Sequence, residues 1–297
     1  MLEGQNGLDW RRWQRLGPAV EDLGFAGLFR SDHFTNAGPP DREALELWIS
    51  LAWLAANTTR IAFGPLVTPA SFRHPVHTAR MARDVDDLAG GRLVLGVGAG
   101  WQAREHEIFG FDLLEVPARM ARFEEALEVI TRLLRSDAPA SFDGRYFRLR
   151  EATLLPRPSR PGGPPILVGG NGRERTLRLA ARYGDAWNAM FLPPAGFSSL
   201  NGRLDELLDE VGRDRRAVRR SLMTGLVFGT DDAALTERLR GRAADELRDR
   251  GIVVGTPAAV VDQLGALAAA GVERVMLQWI ELDDLAGLDH LARAVLG

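Results

Sequence analysis

An acid and an imidazole stand side by side at Asp32 and His33, closing the short apolar run Gly27-Leu28-Phe29-Arg30-Ser31. An imidazole takes or gives a proton near neutral pH, and a neighbouring carboxylate can orient it. A helical pattern precedes the run and the loop Asn36 to Pro40 follows it. That places the pair at the carboxyl end of a strand, where α/β barrels keep their chemistry. On position alone a second reading stays open, in which Asp32 is a cap and His33 a solvated loop residue.

Other residues are weighed in the same way. Ile166-Leu167-Val168 feeds Gly169-Gly170-Asn171-Gly172, and a helix is expected from Arg173 to Tyr183 with Arg173 and Arg175 in its first turn. Free N–H groups at a helix start attract phosphate, and arginine there opposes the helix dipole unless an anion compensates. An ordinary tight turn is the alternative. Gly96-Val97-Gly98-Ala99-Gly100-Trp101 follows a strand but lacks the spacing and the opening helix of a dinucleotide fingerprint. It reads better as a strand end whose missing side chains admit a flat ring or a phosphate. His74 and His77 have metal-ligand spacing without a third ligand in matching context, so no metal site is expected. Glu105-His106-Glu107 reads as a solvated turn, with lining of the pocket mouth as the lesser reading. Most tryptophans are core by spacing, while Trp101 and Trp187 lie near strand ends and are candidates for stacking on a ring.

Composition excludes several chemistries. The 297 residues contain no cysteine, and every one of the 37 basic residues is arginine. Thiolate nucleophiles, disulfides, thiolate metal sites, Schiff bases and the P-loop lysine are therefore unavailable. A net charge of −3 gives no sign of a nucleic-acid or anionic-membrane partner. No apolar run approaches the roughly 20 residues that span a bilayer. Met1-Leu2-Glu3-Gly4-Gln5 has neither the basic nor the apolar part of a secretory signal, so a soluble cytoplasmic protein is expected.

The elements that must position these residues alternate regularly. Helices are expected over Asp9–Leu23, Asp41–Ala56, Pro75–Leu88, Pro117–Leu134, Leu200–Val211, Asp231–Arg250 and Pro257–Ala270, besides the one after Gly172. Strands are expected at Ala26–Arg30, Arg60–Gly64, Leu93–Val97, Ile166–Val168, Ala186–Met190, Ser221–Phe228 and Arg274–Trp279, with a weaker one at Leu2–Gln5. Between Ala140 and Pro165 the pattern breaks into a hairpin with an Asp143-Gly144 turn and a Pro-rich excursion. Eight strand–helix units in about 250–300 residues fit a single (β/α)8 TIM barrel over residues 1–297, with an insertion before strand 5 and a shortened first strand. An open doubly wound sheet is the structural alternative.

Taken in order, Glu3-Gly4-Gln5, Leu23-Gly24-Phe25, Ser31-Asp32-His33, Thr68-Pro69, Arg73-His74-Pro75, Gly90-Gly91-Arg92, Gly96 to Trp101, Gly169 to Gly172 and Gly255-Thr256-Pro257 resemble the bacterial luciferase-like family of flavin- and deazaflavin-dependent oxidoreductases. The resemblance implies the barrel, with the cofactor ring at the strand C-terminal ends. The branch that looks nearest uses coenzyme F420, which carries hydride. It implies that Asp32 and His33, with Ser31, lie beside the ring, and that His33 handles the proton. It further implies a bulge under the ring carrying a cis bond at Pro65–Leu66. Thr68 would reach the ring edge, Ala99 and Gly100 would pass its face before Trp101, and Gly169, Gly170, Asn171 and Gly172 would hold phosphate. Some sugar-oxidising relatives carry a glutamate where this chain has Trp101, which leaves Glu105 as a stand-in.

The resulting expectation is an F420-dependent oxidoreductase acting on a small organic substrate, with relatives implying a homodimer. The alternatives are an FMN-dependent monooxygenase, a non-catalytic flavin carrier and, as the poorest, a metal-dependent hydrolase. The resemblance at Glu3-Gly4-Gln5 and Gly100-Trp101 implies F420 over FMN.

Overall fold

The computed structural model describes residues 1–297. Its strands are β1 (Gly27–Arg30), β2 (Ala62–Pro65), β3 (Thr68–Pro69), β4 (Leu95–Gly98), β5 (Ala140–Asp143), β6 (Arg148–Ala152), β7 (Ile166–Gly169), β8 (Ala186–Met190), β9 (Arg219–Phe228), β10 (Val253–Gly255) and β11 (Arg274–Gln278). The helices are α1 (Trp10–Asp22), α2 (Leu47–Asn57), α3 (Pro75–Leu88), α4 (Ala103–Phe109), α5 (Val116–Arg135), α6 (Thr176–Tyr183), α7 (Pro194–Glu210), α8 (Asp232–Leu239), α9 (Ala244–Asp249), α10 (Pro257–Ala269) and α11 (Leu285–Leu296).

The expected (β/α)8 barrel is the observed one, and the open sheet is excluded because the ladder closes. β1 pairs with β2, and β4, β7, β8, β9 and β11 follow in parallel register. β2 joins β4 where Phe63 receives a bridge from Val94 N at 2.8 Å. The last gap, between β11 and β1, is filled by only two residues. The Met1 ammonium donates to Leu277 O at 2.9 Å and Trp279 N donates to Met1 O at 2.9 Å. On the other side Leu2 N donates to Phe29 O at 2.8 Å and Ser31 N to Leu2 O at 3.0 Å. Burial lowers the pKa of the Met1 ammonium to about 5.

The strand expected over Leu2–Gln5 thus stops at Leu2, and Gly4–Asn6 turns as a 3₁₀ helix. The ladder ends because Gly4 N donates to Ser31 Oγ at 2.8 Å and Asn6 N turns back to Glu3 O at 3.0 Å. The Arg30 guanidinium, bonded to Ser50 Oγ (2.6 Å) and Leu45 O (2.7 Å), lies where a side chain at residue 4 would have to go, so that residue is glycine. Other differences have equally local causes. The helix expected from Asp41 begins at Leu47, because Ala44 bridges Leu8 and Leu45 N donates to Leu8 O. The single helix expected over Asp231–Arg250 is two, broken where Arg240 and Gly241 take φ of 51° and 78°. The short strand β10, which pairs with β9, is absent from the sequence reading. The hairpin is present as β5–β6, but its turn spans residues 144–147 instead of a two-residue Asp-Gly turn. Glu125 explains this by accepting from the backbone N–H groups of Arg145, Tyr146 and Phe147.

The barrel interior is filled by Phe29, Leu66, Leu167, Ala186, Met223 and Met276, a packed layer with no pore. The larger core lies between strands and helices, where α1 buries Trp13, Leu16 and Val20 at helical spacing. Asp9 caps that helix through Arg12 N at 2.8 Å. At its far end Glu21 ties α1 to the entry of β2. Its carboxylate accepts from Thr59 N, Arg60 N and Ile61 N at 2.7–2.9 Å and from the Thr59 hydroxyl at 3.1 Å.

Slight burial pushes the Glu21 carboxyl up, but these donors outweigh it and hold the pKa down at about 2. A depressed carboxyl stabilises the fold above its unfolded pKa and loses that effect as pH falls through the folded one. Glu21→Ala is therefore expected to cost about 1–3 kcal/mol in urea unfolding at pH 7. The difference from wild type should shrink as pH falls from about 4.5 to about 2. A pH-independent difference would contradict this account.

Candidate active site

β1 ends at Arg30, and the chain leaves the barrel through Ser31, Asp32 and His33 at the C-terminal end of the strands. Each of the three has a different set of partners. Ser31 is buried; its hydroxyl donates to Gln5 Oε1 (2.7 Å) and accepts from Gly4 N (2.8 Å). It fastens the N-terminal turn to the strand.

Asp32 is also buried and is held from the next strand along. Its Oδ2 accepts from Thr68 Oγ1 at 2.7 Å and from Arg73 Nη1 at 2.5 Å, and Arg73 Nη2 reaches on to Glu46 at 2.8 Å. Burial pushes the Asp32 carboxyl up, against the charge and hydrogen bond of Arg73. Thr68, expected at a ring edge, spends its hydroxyl on Asp32.

His33 is the free member. Its Nδ1 lies 2.8 Å from Glu105 Oε1, while Glu105 Oε2 accepts from Phe34 N at 3.0 Å. A carboxylate only accepts, so Nδ1 carries the hydrogen and Nε2 is left open. Gln102 Nε2 also approaches Nδ1, at 3.3 Å, but that amide already donates to Thr35 O at 3.0 Å. Two donors cannot bond each other, so the Glu105 contact decides the tautomer. Burial alone would lower the basicity of His33; the hydrogen bond and charge of Glu105 outweigh it, and the pKa is raised. Trp101 stands edge-on to the imidazole at 5.6 Å and is otherwise exposed.

Glu105 and His106 correct the sequence reading, which made them a solvated turn. They lie on α4, where Gln102, Glu105 and His106 share one face by their i, i+3 and i+4 spacing, and all three are buried. His106 accepts from or donates to Ser71 Oγ at 2.8 Å through Nε2, with Nδ1 donating to Gln102 O at 2.6 Å. The resemblance named Glu105 only as a stand-in for the relatives' glutamate, and it is the partner His33 finds; Gln102 and Arg73 gave no signal beyond their polarity.

The neighbouring strand ends are glycine-rich and pack closely on one another. Pro65 ends β2, Leu66 turns into the barrel core, and the cis peptide is Leu66–Val67, one residue beyond the expected Pro65–Leu66. The Val67 side chain lies against Gly96, Gly98 and Gly169, where a Cβ at Gly98 or Gly169 would come within 2.6 or 2.8 Å of it. Ala99 follows, and Gly100 turns with φ 84° under the side chain of Arg119, which donates to its carbonyl at 2.9 Å.

The turn after β7 is built from both sides. Asn171 and Met190 exchange two hydrogen bonds, at 2.8 and 2.9 Å, and Trp187 Nε1 donates to Gly170 O at 2.9 Å. Trp187 is wholly buried against Phe197, so it is not available to stack on a ring. Gly170 N is taken by Asn188 O, whereas the N–H groups of residues 171–175 donate to no protein acceptor. α6 starts at Thr176, so Arg173 and Arg175 precede the helix instead of occupying its first turn; Leu177 N donates five residues back to Gly172 O at 3.1 Å instead of closing an α-helical turn on Arg173. His74 caps α3 by accepting from Val76 N at 3.3 Å, away from any third ligand.

The site therefore unites a glycine-bordered face, a row of free N–H groups and one imidazole with an open nitrogen. Among known proteins, the chain is 34% identical over 195 residues to the 4-hydroxyprotoasukamycin monooxygenase of Streptomyces nodosus subsp. asukaensis, covering 66% of this chain and 51% of that protein. It is 31% identical over 265 residues to the F420-dependent hydroxymycolic acid dehydrogenase of Mycobacterium tuberculosis, covering 88% and 69%. The chain thus spans about half to two thirds of the length of these curated relatives. In structure it superimposes on an F420-dependent secondary alcohol dehydrogenase with a TM-score of 0.83, at 20% identity and 96% coverage of both chains. The family model described as luciferase-like monooxygenase matches residues 2–244, and the chain belongs to that family.

Proposed function

We propose that this protein is a coenzyme F420-dependent oxidoreductase in which His33 moves a proton as hydride passes between cofactor and a small organic substrate. The observation that carries the reading is the His33–Glu105 pair at the C-terminal ends of the strands, which leaves Nε2 open. The free N–H groups of residues 171–175 fit a phosphate. When bound, the deazaflavin supplies a hydride donor and acceptor. The chain supplies the rest. Glu105 fixes the imidazole tautomer and favours its charged form. Asp32, paired to Arg73, positions the loop that carries His33. Pro65, Leu66, Thr68, Ala99, Gly100 and Trp101 would hold the ring, and Gly169 to Gly172 would take the phosphate. The same reading makes residues 1–297 one barrel domain, working in the cytoplasm as a homodimer; no helix is long and apolar enough to cross a membrane. Similarity to a monooxygenase keeps FMN with oxygen as the second reading.

Fluorescence titration with F420 and with FMN under anaerobic conditions tests the assignment. Tighter binding of F420 is expected; tighter binding of FMN, with oxygen uptake, would move the protein to the second reading. His33→Ala is expected to lower kcat by about 10²–10⁴ fold with little change in F420 affinity. Glu105→Gln removes the charge that favours imidazolium, so the His33 limb of the pH–rate profile should move to lower pH. A limb that stays in place would show that Glu105 does not tune His33.

A further inference from the structure

The face of the barrel opposite the candidate site carries arginines of two kinds. In this architecture the helices run antiparallel to the strands, so their C-terminal carbonyls gather at the strand N-terminal ends, and a cation there is ordinarily a cap. Arg92 is one, donating to Ala55 O (2.9 Å) and Thr58 O (2.7 Å). Arg213 is another, donating to Ala181 O (2.7 Å) and Gly184 O (3.0 Å). Arg216, Arg219 and Arg274 do nothing of the kind. Their guanidiniums have no hydrogen bond and no ion pair, yet all three line one cavity of about 490 Å³.

Of the remaining charges around that cavity all but Glu273 are paired, which leaves one free carboxylate against three free guanidiniums. Arg160 pairs with Asp86 at 3.1 Å and Arg220 with Asp205. Asp185 is held by Arg135 at 2.6 Å and by Ile166 N at 2.8 Å, and Glu273 accepts from Arg220 N at 3.3 Å. The floor is apolar, formed by Val94, Leu167, Ala186 and Met276 at the lower end of the barrel. Arg274 is half-buried, and both burial and the nearby Arg219 lower its pKa. Like charges held together over an apolar floor destabilise the protein unless an anion joins them.

We propose that this cavity binds an organic phosphate, with its phosphate on Arg216, Arg219 and Arg274 and its apolar body over Leu167 and Met276. Guanidiniums match the oxygens of a phosphate in bidentate fashion, and a dianion neutralises most of the excess charge. The site is separate from the free N–H groups after β7, which lie at the opposite ends of the strands.

Isothermal titration of the full chain at low ionic strength, with phenyl phosphate as probe, tests this. Phenyl phosphate is expected to bind at least ten-fold more tightly than phenol, inorganic phosphate or phenylacetate. An Arg219→Gln/Arg274→Gln protein should bind it at least ten-fold more weakly, and the exposed Arg216→Gln should also weaken it. Without ligand the double variant should melt higher than wild type, because the repulsion is relieved, while losing the stabilisation that phenyl phosphate gives wild type. Equal affinity in wild type and variants would overturn the proposal, as would equal binding of phenol. Equal binding of phenylacetate would overturn the assignment to phosphate, and a double variant that melts lower would make these arginines structural.

Discussion

Closure of the hydrogen-bonded ladder is the constraint on which the rest depends. A parallel sheet leaves unpaired N–H and C=O groups along any free edge, and a barrel removes the edges only if every strand is bonded on both sides. Here the final bonds are made by Met1 and Leu2, four of them, shared between β1 and β11. The same two residues lead directly into the turn at Gly4 and Gln5 that holds the Ser31 hydroxyl. Closing the barrel and setting the exit of β1 are therefore one event. Asp32 and His33 inherit their place from it.

Much of this was legible because strand and helix periodicities differ, and because glycine and proline punctuate the chain where the backbone must turn. The helix Pro75–Leu88, the strands at Gly27 and Ile166 and the barrel itself follow from that grammar. What escaped depends on partners distant in sequence. The helix expected from Asp41 loses its start to a bridge with Leu8, and the strand expected beyond Leu2 yields to the Ser31 hydroxyl, which takes Gly4 N. No local pattern announces either. Two left-handed residues broke the helix after Asp231, one of them an arginine, a residue type that seldom marks a break.

The site divides in the same way. His33 stood out by type and position, and the bare turns at Gly98 and Gly169 by composition. Glu105 sits among charged residues, and its burial shows only once α4 is wound and laid against the loop after β1. The cis bond was displaced by one residue because the expectation came from resemblance, whereas the observed turn follows the packing of Val67 on three glycines. Trp187 near a strand end looked available, but its neighbour Phe197 on α7 claims its face.

Seventy-two positions separate the imidazole from the carboxylate that sets its tautomer. One comes from the loop after β1 and the other from the segment after β4, so neither half of the barrel contains a tuned acid or base by itself. A chain that has folded only its first units carries an ordinary histidine. The pair exists only where α4 lies against the loop after β1, which ties the tautomer of this imidazole to the assembled barrel. It also lets substitutions on α4 change the basicity of His33 without altering His33 itself.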